Sequence, residues 1–274
     1  MHAPLTPIRL LSANLVLLMA LFSTTTWADE DNIRDPKLVL NVGPYHINSI
    51  ATDLLITSGV GATVGLSFEN TLSMPSTADV QRFDGYFRYD DRNRIEFSYY
   101  GLNRRGQADL GVGGIDIGGT TFVGVTTSDS EATIMKALWS HSYIKDNKYD
   151  FGIGGGVYIN SSKTTITDST GPTPNTATAD VTVGLPVFSL RGAWHITPKW
   201  QIWAKQDLFF LNITDLTSAL SDFTFAVEHQ TFKHVGFGAN VNYFTTTAST
   251  TVEGKDAELI RRYSGAMLYA KFVM

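Results

Sequence analysis

The chain contains no cysteine, which excludes a disulfide framework and any thiolate-held metal. Charge is scarce as well: 17% of residues are Asp, Glu, Lys or Arg, where ordinary soluble domains carry about 25%. Disorder is excluded too, because a disordered chain has few aromatics and many charges, whereas 12% of this one is aromatic and 43% hydrophobic. Beyond the N-terminus no run approaches the roughly 20 apolar residues of a spanning helix. A net charge of -5 and a pI near 5.6 leave no basic footprint for nucleic acid. What is present is glycine, serine and threonine among alternating apolar residues. The length of 274 residues has room for one large domain or two small ones.

Residues 1–28 carry the three parts of a secretory signal peptide. His2 and Arg9 give a weakly positive start, Leu10 to Phe22 is an apolar run too short to span, and Thr26-Trp27-Ala28 ends at a small residue. Cleavage after Ala28 would start the mature chain at Asp29, and the alternative is an uncleaved anchor helix. No cysteine follows the apolar run, so lipoprotein anchoring is excluded. Residues 29–274 then form one domain.

In that domain period-2 alternation recurs while helical spacing does not. Phe83, Gly85, Phe87 and Tyr89 alternate with Arg82, Asp84, Tyr86 and Arg88, and Ile95, Phe97 and Tyr99 with Arg94, Glu96 and Ser98. The same pattern continues through Met135-Trp139, Phe151-Ile159, Phe188-Trp194, Trp200-Leu208, Phe223-Val227, Val235-Tyr243 and Ala266-Phe272. Short polar turns occur at Asp90-Asn93, Lys145-Lys148, Thr197-Lys199 and Thr231-His234, and longer excursions at 106–127, 161–180, 214–219 and 246–260. Short and long connections therefore alternate along an up-and-down meander. Four short turns predict ten antiparallel strands. The first strand is ambiguous: one long strand with a bulge near Gly59-Gly61 keeps the count at ten, a separate hairpin makes it twelve, and eight stays open.

Alternation alone does not say whether the apolar face is inside, as in a soluble lipocalin-like barrel or sandwich, or outside, as in a membrane barrel. Runs of about ten residues suit a tilted transmembrane strand. Unequal connections are the membrane-barrel asymmetry, and Tyr143, Tyr149, Trp194, Trp200 and Tyr243 sit near strand ends, where amphipathic rings favour an interface. The fold class expected is all-β, a transmembrane up-and-down barrel. Arg82-Phe83-Asp84-Gly85-Tyr86-Phe87-Arg88 followed by Arg94-Ile95-Glu96-Phe97-Ser98-Tyr99-Tyr100 resembles a recurring strand pair of small, porin-like outer-membrane barrels of Gram-negative bacteria. Leu190-Arg191-Gly192-Ala193-Trp194, and Lys233 to Gly238 leading to Asn242-Tyr243-Phe244, resemble the same uncharacterised family. The resemblance covers most of residues 79–274 and implies fold and outer-membrane location, not activity. One departure is the ending Phe272-Val273-Met274, where such barrels close on an aromatic residue read by the insertion machinery.

With the apolar set outward, the lumen receives Arg82, Asp84, Arg88, Arg94, Glu96, Lys136, Arg191, Lys205, Asp207, Asp222 and Glu228. Both signs occur on neighbouring strands, so a cross-strand ion-pair network is expected. It makes the barrel either a structural or surface protein with a filled lumen, or a narrow polar channel. The alternative class is an enzyme acting on lipid or peptide at the outer rim, which would need His with Ser, Asp or Glu at the long-loop end. His46, His141, His195, His229 and His234 are all expected near the short turns. In His141-Ser142, consecutive strand residues point to opposite faces. No His-x-His or acidic ligand spacing suggests a metal, and Gly113-Gly114 and Gly154-Gly155-Gly156 lack the context of a nucleotide loop. No catalytic residue or cofactor is expected. Arg104-Arg105 and Arg261-Arg262 read as solvated pairs at the loop end, with lipopolysaccharide phosphates as the alternative contact. The expected partners are outer-membrane lipid, lipopolysaccharide and, during biogenesis, the insertion machinery. The chain is expected to be a monomer.

Overall fold

A computed structural model describes residues 36–57, 63–117, 120–169, 174–213, 216–252 and 255–274. The signal-peptide reading of residues 1–28 and the bulge near Gly59-Gly61 lie outside the described residues. The strands are β1 (Leu38–Thr57), β2 (Thr63–Ser67), β3 (Ala78–Arg88), β4 (Asn93–Asp109), β5 (Ile115–Ile117), β6 (Thr120–Phe122), β7 (Val125–Lys145), β8 (Tyr149–Asp168), β9 (Thr176–His195), β10 (Trp200–Ile213), β11 (Leu216–Gln230), β12 (Val235–Val252) and β13 (Lys255–Val273). Ten of them form one closed antiparallel ring, β1-β3-β4-β7-β8-β9-β10-β11-β12-β13, in which β13 returns to β1. Closure is tied at the turn end by Leu38 N–H donating to the Met274 carbonyl and Met274 N–H to the Leu38 carbonyl, each at 3.0 Å.

Turn chemistry explains the short connections. The Asp90 carboxylate accepts from the N–H groups of Arg92 at 2.8 Å and Asn93 at 2.7 Å. Asp146 accepts likewise from Lys148 at 2.7 Å and Tyr149 at 2.8 Å. The Thr197 hydroxyl accepts from Lys199 and Trp200 at 3.2 and 3.0 Å. Each side chain bonds its own backbone two and three residues on, which is why Asp and Thr stand there. Hydrogen bonds to the charged form, with the Asn93 amide first for Asp90 and the Lys148 amide first for Asp146, hold both carboxyls below the usual range.

Three expectations are corrected. The long excursions are mostly strand: β4 runs to Asp109, β8 to Asp168, β9 starts at Thr176, and the β10–β11 and β12–β13 ladders reach Ile213↔Leu216 and Val252↔Lys255. Their Ser and Thr residues look like loop by polarity, yet β-branched residues suit strands, and facing hydroxyls pair across them. Ser161 meets Thr182 at 2.8 Å, while Thr165–Thr178 and Thr167–Thr176 each meet at 3.2 Å. The first strand begins at Leu38, with its register shift between Ile47 and Ser49, and bends so that its lower part pairs with β3 and its upper part with β2. Finally, His46 is not near the short turns. It pairs with Asp79 at the opposite end of β3 from Arg88.

Candidate functional site

The outer wall carries a continuous apolar belt. Phe87, Ile95, Tyr99, Met135, Phe151, Ile153, Phe188, Leu190, Leu208, Phe223, Phe225, Phe237 and Val241 all project outward and are exposed. Tyr89, Trp139, Tyr143, Tyr149, Trp194 and Trp200 fringe its turn-end edge. There Tyr149 stacks on Trp194, and the Trp139 indole N–H donates to the Tyr89 hydroxyl at 2.9 Å. Water does not tolerate an apolar patch of this extent. A bilayer does, provided the ladder is closed, and the rings suit its interface.

Inside, the lower lumen is built from charge. Glu96 on β4 lies 2.6 Å from Lys205 on β10, 2.9 Å from Arg94 and 3.4 Å from Arg191 on β9. Lys136 on β7 bridges to Asp222 on β11 and to Asp207 on β10, the latter at 3.2 Å. Ser189 donates to Asp207 and Asn242 to Asp222, each at 2.6 Å. Arg82 lies 2.9 Å from Asp84, its guanidinium also facing the Tyr45 and Tyr100 rings at 5.1 and 5.2 Å. Glu228 on β11 lies 2.5 Å from Lys271 on β13. Arg88 and Arg191 flank Asp150 at 3.2 and 2.9 Å. All eleven lumen residues named from the sequence are thus paired, and a cavity bordered by eight of them has about 100 Å³ of space, enough for a few waters.

Asp150 and Lys271 are network members that sequence reasoning missed. The signal was available, since Asp150 shares the inward register of Gly152 and Lys271 that of Met267 and Tyr269. Two inward glycines make room for this layer. A Cβ at Gly152 would lie 2.7 Å from the Arg191 guanidinium, and one at Gly238 would overlap the Tyr269 ring.

Above the charges the lumen turns aromatic and apolar. Tyr45, Tyr100, Tyr158, Phe244 and Tyr263 pack with Leu138, Val187, Leu220 and Met267. The Tyr158 and Tyr263 hydroxyls lie 3.3 Å apart, on strands at opposite sides of the ring, and Tyr100 bonds Tyr263 as well. Nearer the far end, the segment between β2 and β3 folds inward. Leu72 and Met74 are buried with Leu66, Phe122 and Ile166. Gly106 permits this, because a Cβ there would overlap the backbone of Leu72 to Met74. The segment is anchored by Arg104, which bonds Glu69, the Pro75 carbonyl at 3.3 Å and the Thr52 hydroxyl at 3.3 Å.

The arginine doublets are therefore not solvated pairs. Arg104 is buried on the lumen side and Arg105 points out to Asp129 at 3.4 Å. Adjacent strand residues alternate faces, so a doublet in a strand always splits. Arg261 and Arg262 split the same way, Arg262 being the exposed one. His46 Nδ1 lies 2.7 Å from Asp79 on the outer wall. His141 meets the Asn93 side chain at 2.8 Å, while Ser142, fully buried, accepts from Arg191 at 2.5 Å. Among the described residues no three His, Asp or Glu side chains converge as a metal-ligand set.

No protein-family model matches the chain, and no curated protein matches it. Solved structures do. The chain is similar to the outer membrane protease OmpT of Escherichia coli (TM-score 0.47, 10% identity, 86% of this chain and 97% of that one). It is similar to the translocator domain of the autotransporter NalP of Neisseria meningitidis (0.44, 11%, 94% and 95%). It is also similar to the outer membrane protein OprG of Pseudomonas aeruginosa (0.41, 9%, 88% and 97%). The structural neighbours are small Gram-negative outer-membrane barrels. They include a protease and toluene transporters, and likeness of fold alone carries no activity.

Proposed function

We propose that the protein is an integral outer-membrane β-barrel without enzymatic activity, monomeric, and closed to ions along its axis. The termini and short turns face the periplasm and the extended strands face outward, following the usual asymmetry of such barrels. Lipid and lipopolysaccharide are its partners at the wall, and the insertion machinery during biogenesis. One observation carries the reading: Glu96, Lys136, Arg191, Lys205, Asp207 and Asp222 pair across the lumen instead of lining a water-filled path. Buried charges of both signs pair because an isolated one would be costly. With no open path, the protein acts at its outer end and its wall. Supporting a non-enzymatic role, the His46–Asp79 pair faces away from the lumen.

Two measurements test this. In an outer-membrane fraction the protein should show heat-modifiable gel mobility, and recovery in a soluble periplasmic extract with unchanged mobility on boiling overturns the location. In planar bilayers the wild type should be silent, whereas a Glu96→Ala, Lys136→Ala double variant should show current steps. Steady conductance by the wild type overturns the closed lumen.

A further inference from the structure

The barrel wall is not uniformly laddered. Between β9 and β10 the pairing runs from His195↔Gln201 to Phe188↔Leu208 and stops. Both strands continue: β9 stays paired to β8 up to Thr176↔Thr167, and β10 to β11 up to Ile213↔Leu216. Continuing the register would set Val187 against Phe209, Pro186 against Phe210 and Leu185 against Leu211. None of these pairs forms. Pro186 stands at the first outward position above the last pair; it lacks an N–H, and proline in sheets is confined to edges. The interruption is therefore written in the sequence.

Its level matters. Phe188 and Leu208 are outward and exposed, and Phe210, just above, is 71% exposed, so the apolar belt reaches the gap. Inside the bilayer an open edge leaves backbone groups unpaired, which closed barrels otherwise avoid. The inner lip is apolar as well. Val181 and Val183 share the inward register of Ser162 and Asn160, yet are 54% and 42% exposed, so they front open space in the upper lumen. Leu185 and Phe209 flank the gap and pack on the aromatic layer. Outside and below lies an apolar groove of about 790 Å³, floored by Gly192 and Ala204 and walled by Phe151, Trp194, Phe223 and Phe225.

We propose that the gap between β9 above Phe188 and β10 above Leu208 is a lateral port, through which small uncharged apolar molecules pass between the outward-opening upper lumen and the outer half of the bilayer. The inference rests on the closed lower lumen, which leaves the side as the exit. The lips, with Leu185, Pro186 and Val187 on one side and Phe209 and Phe210 on the other, and the outer groove are apolar, while the vestibule beside them mixes Val181 and Val183 with Ser162 and Asn160, so the lips select a hydrocarbon-like solute and reject ions.

The absence of cysteine gives a clean test. Gly184→Cys with Asn212→Cys places exposed thiols on opposite lips, and a Cβ at Gly184 meets Val157 at an ordinary 3.8 Å. A short bis-methanethiosulfonate reagent staples them, and dithiothreitol releases them. Leu190→Cys with Gln206→Cys, directly paired below the gap, is the control staple. Uptake of N-phenyl-1-naphthylamine is followed by fluorescence in cells with and without the protein, folding of each variant being checked by heat-modifiable mobility. The protein should raise the uptake rate. The lip staple should abolish that increment and dithiothreitol restore it, while the control staple leaves it unchanged. No increment, an increment indifferent to the lip staple, or equal loss with both staples overturns the port. As a second variant, Val183→Asp should remove most of the increment, and unchanged uptake by that folded variant also counts against it. Staple-sensitive uptake supports the port whether or not the barrel conducts. Ion conductance alone counts against the closed lumen, so the two failures are told apart.

Discussion

The Glu228–Lys271 pair makes the energetics of the lumen measurable. At 2.5 Å and an effective dielectric constant near 20, the gross attraction is about 7 kcal/mol, most of it offset by desolvation of both ions. Neither partner has equal alternatives. Glu228 also accepts from the Trp203 indole at 2.6 Å and the Tyr269 hydroxyl at 2.7 Å, whereas Lys271 has no other carboxylate partner among the described ion pairs. Glu228→Gln therefore strands a buried cation and should cost about 3–5 kcal/mol. Lys271→Met leaves a carboxylate still held by two neutral donors and should cost less, about 1–3 kcal/mol. Removing both charges at once should bring stability back to within about 1 kcal/mol of wild type, a coupling of about 3 kcal/mol or more. The assay is urea unfolding in lipid vesicles, followed by tryptophan fluorescence and gel mobility. Additive costs, or a larger loss for Lys271→Met than for Glu228→Gln, would refute the account.

Other consequences follow from single contacts. A Cβ at Gly43 would overlap the Leu268 carbonyl oxygen where β1 closes on β13. Gly43→Ala should therefore destabilise the barrel by about 1–3 kcal/mol or more, while Gly113→Ala, with open space around it, should leave unfolding unchanged. Arg104→Ala should release the inward segment around Leu72 and Met74, seen as faster limited proteolysis there with the barrel intact; equal rates would show that the anchor is not Arg104. The turn carboxylates predict a pH effect. Folded Asp90 and Asp146 titrate below their unfolded value, so their contribution is full above about pH 4 and fades as pH falls through the folded pKa. Urea midpoints should be flat from neutral pH to about 5 and drop in more acid solution, with a smaller drop in Asp90→Asn.

Reading by alternation works where one face meets lipid and the other meets charge. From Phe83 to Tyr99, and again from Phe223 to Glu228, each residue type declares its side, and the inward charges could be read there. Above the belt both faces meet water or the mouth. Stretches such as Thr176–Asp180 then lose the two-sided contrast and resemble loop by composition, although hydroxyl pairs hold them in the ladder. Arg104 was hidden by a related ambiguity. Its partner Glu69 sits in a segment without regular alternation, so nothing local announced a lumenal ion pair. His46 was misplaced because β1 begins at Leu38, several residues before its alternation becomes clear.

The incomplete ladder between β9 and β10 is the harder matter, because pairing is a property of two strands and alternation of one. Pro186 was visible, yet a proline inside a predicted strand points equally to an edge, a bulge or a strand end. The register decides among them: β8 pairs with β9 on both sides of Pro186, through Val157↔Pro186, so the strand does not end and only the β10 side is released. An edge exposed inside a bilayer is expensive and is elsewhere removed by closure. Here it lies directly above a lumen sealed by ion pairs, with apolar residues on both lips. In the proposed port, a sealed axis and an unzipped side are complementary, since together they would leave apolar solutes a route that ions lack.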